Sequence, residues 1–250
     1  MSESLFIFCL VIFTVTVYFL TLYPPPKPTP LHIEKTYVIN LESSTDRLAK
    51  FKKQLEPFNI PFERWNAVNG REIPKKQFRE MGVAHWALQD FTKKRQGELG
   101  ALFSHLLLWK YIAKQDYSSN AGVLIFEDDI ILSPKFNEYL EQTLQKIPSD
   151  WDMIVLGYGH EKYFAEPEGD IRKIKRFTGC YAYIVNPASL GKIMPYFSLP
   201  GEPVDTILED LTSRSLITIY GLLIESLKQG MKKVQLYPKF DITLTIELKV

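Results

Sequence analysis

Residues 123–131 read VLIFEDDII, three consecutive carboxylates, Glu127, Asp128 and Asp129, set between two apolar runs. An ionised carboxylate is costly to remove from water, so such a cluster needs a compensating cation. Adjacent acids also repel one another. If two of them face one crevice, a divalent metal is the natural counter-charge, their oxygen ligands suit Mg²⁺ or Mn²⁺, and the metal would then neutralise a diphosphate. The plainer alternative is that Asp128 and Asp129 cap the next helix or face water. A second polar set lies in GELGALFSH, where Glu98 and His105, seven residues apart, share one helical face. That stripe either meets a ligand or the metal, or His105 is a hydrogen-bonded core histidine. Arg47, in ESSTDR, either pairs a phosphate or bridges Asp46 and neighbouring acids.

These side chains need elements to hold them. KTYVINL is an apolar, β-branched strand, and ESSTDRLAKFKKQLEPF a helix with Leu48, Phe51 and Leu55 on one face. FERWNAV predicts a second strand, and GELGALFSHLLLWKYIAKQ a long helix turning Leu99, Leu102 or Phe103, Leu106 and Trp109 inward. AGVLIF is a buried strand with the carboxylates at its C-terminal end. SPKFNEYLEQTLQKI comes next as a helix, with Ser133 as N-cap and Pro134 at the first helical position. WDMIVLG, IRKIKRF and GCYAYIVN are further strands, and NPASLGKIMPYF is a short helix capped by Asn186. TILEDLTSRSLITIYGLLIESLKQ has a helical pattern throughout, and KKVQLYP and DITLTIEL close the chain as strands. The alternation predicts α/β architecture. In open α/β sheets, ligands lie beyond the carboxyl ends of the strands, where Glu127, Asp128 and Asp129 fall.

Composition sets the outer bounds. With 250 residues, 46% of them hydrophobic, the chain can bury a large core. Thirty Lys and Arg against 29 Asp and Glu leave a formal charge of +1, so no global excess points to nucleic acid, and recognition must be local. Cys9 and Cys180 are the two cysteines; with Cys9 in the apolar N-terminus, the rest of the chain can form no internal disulfide. Ser4 to Tyr23 carries no charge, and about twenty helical residues span roughly 30 Å, a bilayer's hydrocarbon thickness. The run exceeds a signal peptide's apolar region and lacks a cleavage site, so residues 1–23 are expected to anchor the chain in a membrane. Residues 24–33, with PPPKPTP, form a semi-rigid linker, and residues 34–250 form one domain.

Six blocks carry a resemblance. YVINLESSTDR, FERWNAVNGREI, GELGALFSHLLLWK, LIFEDDIIL, WDMIVLG and TGCYAYIVNPASLGKI, in that order and over Lys35 to Asp205, resemble glycosyltransferase family 25, the lipopolysaccharide and procollagen galactosyltransferase group. The resemblance implies a GT-A type fold, a Rossmann-like mixed sheet flanked by helices. It also implies a nucleotide-activated sugar as donor, UDP-hexose, and a divalent metal, Mn²⁺. Glu127 and Asp129 are similar to the two acids of the family's DxD-like motif. By that likeness Asp129 ligates the metal and Glu127 reaches it through water or touches the ribose. Asp128 is set aside, since in an extended segment it points the other way. Asn40, Asp46 and Arg47 match the first-strand motif beside the nucleotide pocket, and the block match draws Glu98 and His105 towards the same site. Family members invert, which requires a base for the acceptor hydroxyl. Asp205 aligns with an acidic position after AYIVNP and is expected to be that base or a contact to the donor sugar. Glu209 and Asp210, one turn on, read as a solvated acidic first turn.

Residues and resemblance together lead to the expectation of a metal-assisted, inverting transferase moving a hexose, galactose by the resemblance, to a glycan or hydroxylated protein. If eukaryotic, it would face the Golgi or ER lumen, although Lys27 and Lys35 after the apolar run would by charge keep the domain cytosolic. Two departures from the family pattern stand out: a helical stretch of some two dozen residues after Asp205, where the family proceeds quickly to a strand, and a last histidine at His160, too early to serve as a late metal ligand. They keep open a non-catalytic adhesion or scaffolding protein of the same fold. A metal-dependent phosphohydrolase would need an array of His and Asp ligands that the sequence does not show.

Overall fold

Residues 36–40 form the buried half of β1 (His32–Asn40), and the polar turn after it leads into α1 (Thr45–Leu55). As the helical spacing requires, Phe51 and Leu55 are buried and Leu48 packs against them. The computed structural model describes residues 12–14, 18, 30–157, 161–163, 171–222 and 246–248. It divides into two units, Met1–Pro30 and Leu31–Val250. The expected anchor falls almost wholly outside the described residues; residues 12–14 and 18 are helical, and among the described residues no helix is long and apolar enough to cross a membrane.

After α1 come β2 (Glu63–Asn66), α2 (Lys75–Glu80), α3 (Lys93–Ile112), β3 (Ala121–Glu127), β4 (Ile130–Leu132), α4 (Phe136–Lys146), β5 (Met153–Gly157) and β6 (Glu161–Tyr163). The chain then forms β7 (Ile171–Phe177), β8 (Ala182–Val185), α5 (Leu190–Ile193), α6 (Val204–Ser213), β9 (Ile219–Leu222) and β10 (Ile246–Leu248). Among the described residues, eight strands make one mixed sheet in the order β2-β1-β3-β8-β5-β9-β7-β6, and β4 pairs with β10 in a separate ribbon. β1 runs parallel to both β2 and β3, whereas β8 is antiparallel to β3 with Phe126 opposite Ala182. The carboxyl ends of β1, β2 and β3 therefore share one edge with the residues that enter β8.

Alternation along the strands divides the core between two faces. On β3, Val123 and Ile125 join the core beneath α3, whereas Leu124 and Phe126 join the one beneath α1 and α4. Tyr37 and Ile39 on β1 face α3, as do Tyr183 and Val185 on β8. Trp109, Leu102 and Leu108 of α3 are fully buried. Burying an apolar side chain of this size contributes about 1.5–3 kcal/mol, so α3 is anchored along its length.

Two expectations are corrected. The helix after Asp205 stops at Ser213, Ser215 takes a left-handed φ of 57°, and β9 then joins the sheet parallel to β5. β-Branched ITIY, which reads equally well as helix or strand, is drawn into the sheet, so the helical stretch expected to run on through it ends at Ser213. Ser133 is not an N-cap: its Oγ accepts from Lys135 N at 3.2 Å in a turn, and α4 begins at Phe136. IRKIKRF forms β7, between β9 and β6, with Arg176 paired to Glu209 and Lys173 3.5 Å from Asp150. His160 and KKVQLYP lie outside the described residues.

Candidate functional site

Where β3 ends, the backbone leaves the strand and turns at Asp128 and Asp129 before β4. Asp128, set aside as pointing away from Glu127, does point away: it continues the alternation of Leu124 and Phe126 onto the α1 face, where Asn40 and Arg47 stand. It is buried, accepts from Asn40 Nδ2 at 2.5 Å, and lies 3.2 Å from Arg47 Nη1. Arg47 Nη1 also donates to Asp129 Oδ2 at 3.0 Å. The acids Arg47 bridges are thus Asp128 and Asp129. Asp46, the expected partner, lies exposed in the first turn of α1, because neighbouring residues on a helix point about 100° apart. Asn40, last in β1, also donates to Ser44 O at 3.0 Å and accepts from Arg64 Nε at 2.9 Å. Arg64, opposite Val38 in the parallel register, makes a second cation at this edge.

The charges here are incompletely compensated. Burial, then the charges of Glu127 and Asp128, push the Asp129 carboxyl up from an ordinary 3.8 to about 6 against the pull of Arg47. Its Oδ1 is sealed from solvent and has no hydrogen-bond partner among the described residues. Burial likewise raises the Asp128 carboxyl, against the Asn40 hydrogen bond and Arg47. Arg47 is therefore one counter-cation to a cluster that retains a bare acceptor.

Glu127 continues the alternation of Val123 and Ile125 and so faces α3. There its Oε1 lies 3.3 Å from His105 Nε2. His105 is buried, and its Nδ1 lies 2.8 Å from Tyr183 OH, which also accepts from Trp109 Nε1 at 2.9 Å. Across the antiparallel pairing, Glu127 N donates to Tyr181 O at 2.8 Å. Two residues before Tyr181, Gly179 has φ 79°, and its N–H donates to Asp205 Oδ2 at 2.6 Å. A Cβ at Gly179 would run into the Tyr181 ring. Burial, followed by the negative charges of Glu127, Asp205 and Asp129, pushes the Tyr181 phenol up to about 12. Three of the expected acids thus converge around one tyrosine.

Asn40, Arg47, His105, Glu127, Asp129 and Asp205 therefore gather at one sheet edge. Glu98 is held by its own helix, with Oε2 3.0 Å from Arg95 Nη1 and Oε1 3.7 Å from Lys94 Nζ. Gly100 serves packing, since an added Cβ would stand 2.6 Å from Gly70 N and 2.7 Å from Val68 O. Gly97 does not, having open space where a Cβ would go. The sequence pattern missed Asp128, Arg64, Tyr181, Tyr183 and Trp109. For Arg64 the signal was its place in the second strand, and for Trp109 its spacing of four from His105.

The family model for glycosyltransferase family 25 (LPS biosynthesis protein) matches residues 33–179, more than half of the chain. The chain belongs to glycosyltransferase family 25. Procollagen galactosyltransferase 1-A of Xenopus laevis is 28% identical over 143 residues, 54% of this chain and 23% of that protein. A Bos taurus protein named probable inactive glycosyltransferase 25 family member 3 is 29% identical over 141 residues, 54% of this chain and 23% of that one. The chain thus spans about a quarter of the length of these curated relatives. Among solved structures, an apo UDP-glucose pyrophosphorylase superposes with a TM-score of 0.39 at 11% identity, covering 76% of this chain and 90% of that one, a likeness too loose to bear on function.

For a family 25 domain the open question of chemistry at this edge is a cation. Among the described residues no group of three or more His, Cys, Asp or Glu side chains stands ready to hold a metal ion. Glu127 and the bare Asp129 Oδ1 are nonetheless hard oxygen donors of the kind Mg²⁺ and Mn²⁺ prefer, in a cluster short of positive charge. Two protein oxygens with the rest of the shell from a diphosphate is a common arrangement for Mg²⁺-like ions. The residues present fit such an ion.

Proposed function

We propose that this chain is a GT-A type, metal-assisted hexosyltransferase that takes a UDP-hexose donor and transfers the sugar with inversion to a hydroxyl of a glycan or hydroxylated protein. The observation that carries this reading is Asp129 at the mouth of β3, partly buried, raised in pKa and with one sealed oxygen unpartnered among the described residues, in a charge cluster with Glu127 and Arg47. Asp129 and Glu127 would hold a divalent cation, Mn²⁺, with Asp129 as direct ligand. Bound there, the cation supplies Lewis-acid stabilisation of the diphosphate leaving group. Asn40 fixes Asp128 and the α1 turn, so that Arg47, 42% exposed, keeps donors for a phosphate while it holds both aspartates. Asp205 is oriented by the Gly179 N–H through one oxygen, and its other oxygen takes the acceptor's proton as the new bond forms. Galactose as the sugar is suggested by the name of the Xenopus relative. Placement in the Golgi or ER lumen behind an N-terminal anchor rests on the apolar run Ser4 to Tyr23 and the family likeness.

A relative named as inactive keeps a second reading in play, a non-catalytic protein of the same fold. A panel of nucleotide sugars with Mn²⁺ separates the two. The full chain should release UDP from one donor and transfer its sugar to a hydroxyl acceptor, and Asp129→Ala should not. Absence of both binding and turnover across the panel would favour the non-catalytic protein.

A further inference from the structure

Beneath Glu127 lies a buried hydrogen-bond chain that the transfer chemistry above does not use. Trp109 Nε1 is 2.9 Å from Tyr183 OH, Tyr183 OH is 2.8 Å from His105 Nδ1, and His105 Nε2 is 3.3 Å from Glu127 Oε1. Tyr183 and Trp109 are 0% exposed and His105 1%. His105 and Trp109 sit four apart on α3, and Tyr183 stands opposite Ile125, on the same face of the sheet as Glu127. The three rings also pack on one another, with centroids 5.7 Å apart for His105 and Tyr183 and 6.3 Å apart for the other two pairs.

The direction of this chain is set by its ends. An indole N–H can only donate, so the Tyr183 oxygen accepts from Trp109. Tyr183's own proton then has one acceptor among the described partners, His105 Nδ1. A bare Nδ1 places the imidazole proton on Nε2, which donates to Glu127. The opposite tautomer fails twice: it gives the Tyr183 oxygen a second donor and strands its proton in a dry core, and it sets the Nε2 lone pair against a carboxylate. A doubly protonated ring strands the same phenolic proton.

We infer that Tyr183 and Trp109 are positioning residues: together they lock His105 as the neutral Nε2–H tautomer, which holds Glu127 through Oε1 and leaves Oε2 for the nucleotide-sugar donor. Among the described residues, Glu127 Oε2 has no hydrogen-bond partner, and the side chain is 27% exposed. The role of Oε2 rests on the proposed donor site, whereas the tautomer does not.

The test has two arms. Long-range ¹H–¹⁵N spectra of the ¹⁵N-histidine-labelled full chain, with His105 assigned by its loss in His105→Gln, report which nitrogen carries the proton. Wild type should show Nε2–H with an unprotonated Nδ1. Tyr183→Phe, and Trp109→Phe as a variant that keeps an aromatic ring and the phenol, should each give mixed tautomers. In the second arm, these variants should raise the donor KM by roughly 10–100-fold, with kcat changed far less, as expected when a partner that orients a binding carboxylate is lost. An Nδ1–H tautomer or an imidazolium in wild type at neutral pH overturns the inference, as does an unchanged Nε2–H signal in both variants. If the tautomers behave as stated while no nucleotide sugar binds wild type, the lock stands and the donor-site reading fails.

Discussion

Replacing Asp129 by Asn should make the metal-free protein more stable, by a margin that opens above about pH 4 and is complete a little above pH 6. In the folded chain its carboxyl is raised from 3.8 to about 6, chiefly by burial. Two units at about 1.36 kcal/mol each would give roughly 3 kcal/mol, and since the side chain is 33% exposed we reduce that to about 1–2 kcal/mol. Proton binding sets the sign. Between about pH 4 and 6 the folded state holds a proton that the unfolded chain has released, so stability falls as pH rises through that window. Asn carries no charge to bury, and its amide oxygen can still accept from Arg47. Urea unfolding of the full chain, followed by circular dichroism in EDTA from pH 4 to 8, should show wild type and Asp129→Asn coinciding near pH 4. By pH 7 the variant should lead by about 1–2 kcal/mol. Mn²⁺ should reverse the order, because a ligand at 100 times its Kd adds about 2.7 kcal/mol to the form that binds it. A variant less stable than wild type at pH 7 in EDTA, or a difference that ignores pH, would show that the Arg47 contact outweighs burial and would refute the reasoning.

Arg47→Met strips the cation from buried Asp128 and from Asp129, and should cost about 1–3 kcal/mol in the same assay at pH 7, with Mn²⁺ restoring part of the loss. Two glycines on α3 should part company. Gly100→Ala drives a methyl to 2.6 Å from the backbone of Gly70 and should cost about 1–3 kcal/mol, whereas Gly97→Ala, with open space around it, should gain about 0.5–1 kcal/mol. Asp205→Asn keeps an acceptor for the Gly179 N–H, so it should unfold like wild type while kcat for sugar transfer falls by about 10²–10⁴.

The strands β1 and β3 were legible as short apolar, β-branched runs, α1 by the helical spacing of Leu48, Phe51 and Leu55, and α3 by an apolar stretch too long for a strand. The end of α6 was not, since ITIYGLL satisfies either period and the turn at Ser215 carries no Gly or Pro to announce it. At the site, Glu127 and Asp129 stood out by type and place. Asp128 was misjudged because the face opposite Glu127 was taken to lie outside the site, whereas Asn40 and Arg47 stand on that face and hold it. Contacts such as Arg47 with Asp128 and Asp129, or Tyr183 with His105, join residues about eighty apart through a sheet order that local patterning does not encode. Asp46 and Glu98 keep to solvent or to local partners for the complementary reason. Proximity in sequence or a shared helical face brought them near the site in pattern, yet their own helices turn them to solvent or to neighbouring bases.

Calorimetric titration of UDP into the full chain, with and without Mn²⁺, and into Asp129→Ala, probes the metal-assisted donor site most directly. Wild type should bind UDP in a Mn²⁺-dependent manner, with affinity lost on chelation and lost in Asp129→Ala. UDP binding of equal strength with and without Mn²⁺, or undiminished in Asp129→Ala, would contradict it.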